Sequence, residues 1–165
     1  MVARPSDFVC EAVVLGETYR CSWLGQADVT ARRVRGLAFT EPGRLLLVLG
    51  DDGYQIPGGG VEEGESVEEA LTRELMEEAG ATVVRSRRIG AFLIEGLTND
   101  HTDLHAFYWC HVTLDSDWVQ PHDIFERVIV GAEAFLDTLP WGRSDPRAAF
   151  LLEEALAIDA SAWTA

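Results

Sequence analysis

The chain has 165 residues, 47% of them apolar and 25% charged, with a formal net charge of −15. That length supports a real hydrophobic core and that composition argues against whole-chain disorder. The acidic excess disfavours duplex nucleic acid and anionic membrane surfaces as partners, although a bound divalent cation would still admit small phosphorylated molecules.

The segments 8–15 (FVCEAVVL) and 18–24 (TYRCSWL) are β-prone runs joined by Gly16-Glu17, a hairpin signal. Tyr19, Cys21 and Trp23 alternate onto one of its faces. A second hairpin is expected from 32–40 and 44–50 around Glu41-Pro42-Gly43. The run RLLLVLG at 44–50 is nearly all apolar, as in a strand covered on both faces. After the Asp51-Asp52-Gly53 turn come a short strand, Tyr54-Gln55-Ile56, then Pro57 and three glycines. Ser66 followed by Glu69 is a capping box, and Ala79-Gly80 a stop, so a helix is predicted between them. Residues 83–96 read as a strand bent at Gly90, 96–103 as a polar loop and 104–114 as an aromatic strand with His105, Phe107, Trp109 and His111 on one face. A loop at 115–123, a strand at 125–130 and helices at 132–139 and 145–158 complete the chain, the last with Asp145 as N-cap and Pro146 at its first position. The whole chain, 1–165, reads as one α+β domain, a mixed sheet between helices, with the hairpin 8–24 as an N-terminal extension.

Cys10, Cys21 and Cys110 have no C-x-x-C spacing, and the first residues make a poor secretory signal. Reduced core thiols in a cytoplasmic protein are the expectation. No apolar run approaches the roughly 18 residues of a membrane span.

The predicted helix carries acid where apolar side chains belong. At about 100° per residue, Ala70, Leu71 and Leu75 gather on one side with Val67, and Glu74 and Glu78 fall within about 20° of Val67. Glu77 lies on the shoulder of this stripe, while Glu68, Glu69, Thr72, Arg73 and Met76 point away. Two buried, unpaired carboxylates one turn apart cost several kcal/mol and repel. Either a divalent cation neutralises them, in which case hard oxygen ligands suit Mg²⁺ or Mn²⁺, or the stripe opens on a wet cleft.

The run Gly59-x5-Glu65-x7-Arg73-Glu74-Leu75-x-Glu77-Glu78-x-Gly80-Ala81, preceded by Ile56-Pro57-Gly58, resembles the Nudix box at every fixed position. The resemblance implies a Nudix fold, an α/β/α sandwich in which the box forms loop-helix-loop. It also implies hydrolysis of a nucleoside diphosphate linked to another group, by metal-assisted attack of water on phosphorus. Carried over by position, Glu74 and Glu78 are the principal ligands of Mg²⁺ (or Mn²⁺), with Glu77, Glu65 and the Gly58 carbonyl completing the set. Gly58, Gly59 and Gly60 form the phosphate-side loop, and Arg73 orients a carboxylate of the helix. Glu74 is the first choice of general base, with Glu126 or an acid of the 96–103 loop as rivals. Some relatives place Lys where this chain has Gly60, so the charge it would bring must come from metal or from another residue.

Downstream of the box, Glu95 and Gly96 stand where ADP-ribose hydrolases often have proline, and the tyrosine of many dinucleoside polyphosphate hydrolases is also missing there. Nucleoside triphosphates or related nucleotides are therefore the expected substrates, ahead of ADP-ribose, dinucleoside polyphosphates and nucleotide sugars. A non-catalytic nucleotide-binding module is the alternative. Phe107 and Trp109 are either core or base platforms, His101 and His105 border the expected cleft, and Trp118 and Trp141 read as loop anchors. The hairpin is either a sheet extension or the edge of a homodimer.

Overall fold

The computed structural model describes residues 7–163; residues 1–6, part of the poor secretory signal noted above, and 164–165 lie outside that description. Nine strands form one sheet: β1 (Val9–Val14), β2 (Glu17–Trp23), β3 (Arg33–Glu41), β4 (Arg44–Gly50), β5 (Gly53–Gln55), β6 (Gly58–Gly60), β7 (Ala81–Gly96), β8 (Thr102–Leu114) and β9 (Glu126–Gly131). The helices are α1 (Val67–Ala79), α2 (Ala132–Thr138) and α3 (Pro146–Ala162). The strand order is β1-β2-β7-β8-β3-β4-β5, with β6 beside β3 and β9 beside β4. The β3–β8 pair is parallel and the others antiparallel, so the sheet is mixed.

Alternation sorts β3 and β8 onto two cores. Val34, Ala38, Ala106, Tyr108 and Cys110 face α1, packing with Leu71, Leu75 and Ala79. Leu37, Phe39, Phe107 and Trp109 face the other way, against Phe135 of α2 and Leu151 and Ala155 of α3. The apolar run of β4 splits the same way, Leu46 and Val48 to α1, Leu45 and Leu47 to α3. This is the α/β/α sandwich of the expected fold class. Buried Asp159 of α3 accepts hydrogen bonds from Trp109 Nε1 (3.0 Å), Trp163 Nε1 (2.5 Å) and the Gly43 amide (2.8 Å). Those donors keep its carboxylate satisfied inside the core.

The N-terminal hairpin extends the sheet: β2 pairs with β7 from Tyr19↔Gly96 to Trp23↔Phe92, and Cys21 is buried in the α3-side core with Tyr19 and Trp23 packed against it. The bend expected at Gly90 is a register shift between Arg88 and Gly90. A Cβ there would come within 2.3 Å of the Trp23 ring, which is why glycine stands at that position. The three cysteines are free, Cys21 and Cys110 buried and Cys10 half-buried. Burial pushes the Cys10 thiol up to about 12, helped by the neighbouring Cys21.

Three readings are corrected. The three glycines are not simply a loop; they form β6, paired with Arg33, Val34 and Arg35 of β3. Helix α3 runs four residues beyond its expected end at 158, to Ala162, whose carbonyl accepts from the Arg85 guanidinium at 2.8 Å. Glu68, though exposed, is not merely solvated; the Tyr108 hydroxyl donates to it at 2.7 Å. Among the described residues no helix is long and apolar enough to cross a membrane.

Candidate active site

Helix α1 is fixed at both ends by its own sequence. The Ser66 hydroxyl accepts from the Glu69 amide at 3.1 Å and the Glu69 carboxylate accepts from the Ser66 amide at 2.8 Å, a complete capping box contributing about 1 kcal/mol. At the other end Gly80 takes the left-handed conformation (φ 57°) under the Trp118 ring. Arg127 donates to the Ala79 carbonyl at 2.7 Å and stacks 4.8 Å from the Trp118 ring centroid. Trp118 is thus the loop anchor its sequence context suggested.

Between these ends α1 presents its acids as the helical wheel requires. Leu71 and Leu75 are buried, Glu74 and Glu78 half-buried, and Glu77 exposed. Glu78 Oε2 accepts from the Gly58 amide at 2.9 Å, which ties the last turns of the helix to β6. Burial pushes the Glu78 carboxyl above its ordinary value; the Gly58 amide and the Arg35 charge oppose this, while Glu74 and Asp123 add to it. A Cβ on Gly59 would lie 2.4–2.7 Å from the Glu74 carboxylate, so only glycine lets that carboxylate lie against the loop.

Arg73 starts on the outward face, as expected, but its guanidinium folds back over the site. It donates to Glu65 from Nε (2.8 Å) and Nη2 (3.0 Å), to Glu74 (2.9 Å) and Glu77 (3.2 Å) from Nη1, and to the Gly60 carbonyl from Nη2 (3.0 Å). These bonds, with one from the Glu62 amide, hold the Glu65 carboxyl down at about 2. The outward start that the helical wheel gives Arg73 does not keep it from the inner acids, because a long side chain on a helix sweeps back over the preceding turn.

Among the described residues no three acidic, thiol or imidazole side chains converge as a ready-made metal cage. Arg73 instead gathers the carboxylates. The donors nevertheless fit Mg²⁺, a hard cation bound by one or two carboxylates plus water and substrate phosphates rather than by an all-protein cage. Glu74 and Glu78 are carboxylates on neighbouring turns, the pocket Gly59 leaves for Glu74 keeps one in place, and Glu78 has no cation within 4.0 Å among the described residues.

Glu126 does not join this group. Alternation along β9 sets it on the same face as Val128 and Val130, toward α3, where the Tyr54 hydroxyl hydrogen-bonds to it. The acid from this part of the chain that acts on Glu78 is Asp123, in the loop before β9. Nothing marks Asp123 in the sequence beyond its place in that loop, because its approach to α1 depends on how β9 docks on β4. In the 96–103 loop Asp103 is likewise engaged elsewhere: it accepts from His105 at 3.1 Å and lies 3.8 Å from Arg33.

On the α3 side, a cavity of about 490 Å³ is lined by Arg35, Gln55, His105, Phe107, Trp141 and the Asp145–Arg147 pair, with Val13–Leu15 of the hairpin tip at its edge. Trp141, read as a loop anchor, is a wall of this cavity; Trp109 is core, closed over by Asp159. Arg147 is bound by Asp145 through contacts of 2.6–3.1 Å. Arg35 donates from Nη1 to the Ile56 carbonyl at 2.6 Å. Burial lowers the Arg35 pKa, while the Glu78 and Glu74 charges act to raise it. Sequence reasoning missed Arg35; its place two strand positions before Leu37, on the face of Leu37 and Phe39, is the signal that would have found it.

A family model described as the NUDIX domain matches residues 29–148, beginning after the N-terminal hairpin. The oxidized purine nucleoside triphosphate hydrolase of Danio rerio is 33% identical over 84 residues, covering 47% of this chain and 54% of that protein. The chain thus spans about half the length of that curated relative. A Bacillus subtilis pyrophosphohydrolase has a similar fold, with a TM-score of 0.69 at 22% identity over 93% of this chain and 98% of that one. A MutT NUDIX hydrolase from Burkholderia pseudomallei superposes with a TM-score of 0.57 at 23% identity, covering 76% of this chain and 98% of that one.

Proposed function

Because the chain belongs to the NUDIX domain family, we propose that it is a Mg²⁺-dependent hydrolase of the pyrophosphate linkage in nucleoside triphosphates, oxidised purine nucleotides foremost. The observation that carries this reading is the pairing of Glu74 and Glu78 with the glycine strand β6, where Gly59 leaves room for one carboxylate and the Gly58 amide holds the other. A binding module has no use for two desolvated acids. The choice of triphosphates follows the name of the Danio rerio relative and the aromatic lining of the cavity by Phe107 and Trp141.

Glu74 and Glu78 would hold the cation, with the Gly58 carbonyl beside them and Glu65 and Glu77 at the rim. When bound, the cation polarises phosphoryl oxygens and lowers the pKa of its water. Arg73 fixes Glu74 through Oε1, and no donor among the described residues engages Oε2, which leaves that oxygen to accept the proton of the attacking water. Gly58, Gly59 and Gly60 let the phosphates approach the backbone of β6. The cavity on the α3 side takes the nucleoside, whose base stacks against Trp141 or Phe107.

The test is a panel of nucleoside and deoxynucleoside triphosphates, including oxidised purines, with nucleotide sugars and dinucleotides as comparison, assayed with Mg²⁺. Turnover of a triphosphate is expected, and Glu78→Gln should lower it by at least about 10³-fold, the scale of losing a group that stabilises transition-state charge, with an unchanged circular dichroism spectrum. A wild type inactive on the whole panel would overturn the reading.

A further inference from the structure

Gly60, after the Gly58-Gly59 pair, has no side chain and brings no charge to the glycine strand. The two arginines of the cavity are in opposite situations. Arg147 is neutralised by Asp145, the same carboxylate that caps α3. Arg35 has no carboxylate within 4.0 Å among the described residues, and of its five N–H donors it uses one, on the Ile56 carbonyl. Its backbone is packed so closely on β6 that a Cβ at Gly58 would come within 2.7 Å of the Arg35 Cα and 3.0 Å of its Cγ. Gly58 is therefore what allows Arg35 to run beside the glycine strand and present its guanidinium at the cavity floor, within electrostatic reach of Glu74 and Glu78. Four guanidinium donors with no partner among the described residues leave Arg35 free to meet an anionic ligand. The planar fork of a guanidinium matches two oxygens of a phosphate.

We propose that Arg35 is a substrate-binding residue that takes two non-bridging oxygens of a phosphoryl group, supplying from β3 the positive charge that Gly60 cannot. The proposal rests on the nucleotide-hydrolase reading for its ligand and places the phosphate between the acidic helix and the cavity, with the rest of the substrate running toward Trp141.

Titration calorimetry with pyrophosphate in the presence of Mg²⁺ tests it, on the wild type, Arg35→Met, Arg35→Lys and Arg44→Met, the last removing an exposed charge at the β3–β4 turn. The wild type is expected to bind, Arg35→Met to lose at least about tenfold in affinity, Arg35→Lys to recover part of that loss, and Arg44→Met to stay within about twofold. If Arg35→Met fails to fold, Arg35→Lys carries the test, since a lysine keeps the charge without the fork and should still bind more weakly than the wild type. Wild-type affinity in both Arg35 variants, an equal fall in Arg44→Met, or no binding by the wild type overturns the proposal. The triphosphate panel separates the two readings. Turnover with pyrophosphate binding indifferent to Arg35 overturns this proposal alone. Arg35-dependent binding without turnover overturns the hydrolase reading and supports a phosphate site.

Discussion

The two faces of the sheet handle positive charge in opposite ways. On the α1 face one arginine, Arg73, is shared among Glu65, Glu74, Glu77 and a backbone carbonyl, so the chain largely neutralises its own acids. On the α3 face two arginines share a cavity and, among the described residues, only Arg147 has a carboxylate within 4.0 Å. The first region gathers its carboxylates and holds them in place; on the proposal above, the second receives an anionic group. A site assembled from both has its acids organised before substrate arrives and its cation waiting for it, which is preorganisation on one side and demand for a ligand on the other.

That contrast can be broken. Of the variants that separate the two faces, Gly59→Ala is expected to act most, because it forces a methyl against the Glu74 carboxylate. A displacement of that order should reduce turnover by at least about 10²-fold, while nucleotide binding in the cavity, followed by calorimetry, changes little. If both fall together, the two faces are not separable. Next in size is Trp141→Ala, which opens one cavity wall. Losing a stacking partner should raise KM by about tenfold with kcat nearly kept, the inverse of the glycine variant. The smallest effect concerns the self-neutralised side. Arg73 holds the Glu65 carboxyl at about 2, below its ordinary value of 4.5. The sign follows: its contribution to stability is present in full above the ordinary value and is lost as pH falls toward about 2. Wild type should therefore melt slightly above Glu65→Gln at neutral pH, and the gap in Tm should close through that acid window. A gap that persists at pH 2 would mean that Glu65 acts by packing rather than by charge.

The same contrast explains what was legible beforehand. The acidic helix is local: its cap, stop, inward stripe and glycine approach lie within one continuous run, so spacing alone exposes the inward placement of Glu74 and Glu78, and the resemblance adds the chemistry expected of them. Strand alternation likewise placed Phe107 and Trp109 together on one face. The cavity is not local. Arg35, Phe107, Trp141 and Arg147 come from β3, β8, the α2–α3 connection and α3, and no spacing rule joins them. Trp141 looks like any loop aromatic until Gln55 and Phe107 line the same cavity. Glu126 misled for a related reason. It stands next to the right strand, but a one-residue difference in phase decides which face a strand residue serves, and that phase is set by Leu49↔Glu126 pairing rather than by anything in the local run.

The parallel pairing of β3 with β8, from Arg33↔His105 to Phe39↔His111, has a kinetic corollary. All of β4, β5, β6, α1 and β7 lies in the loop that this pairing closes. Non-local parallel contacts form late because the closure entropy comes before the reward. Helix α1 can nucleate early on its own caps, but Arg35 and Phe107 become neighbours only when that loop shuts. A refolding chain would then show helical signal well before it could hold a nucleotide, and the interval between the two would time the closing of a single seam.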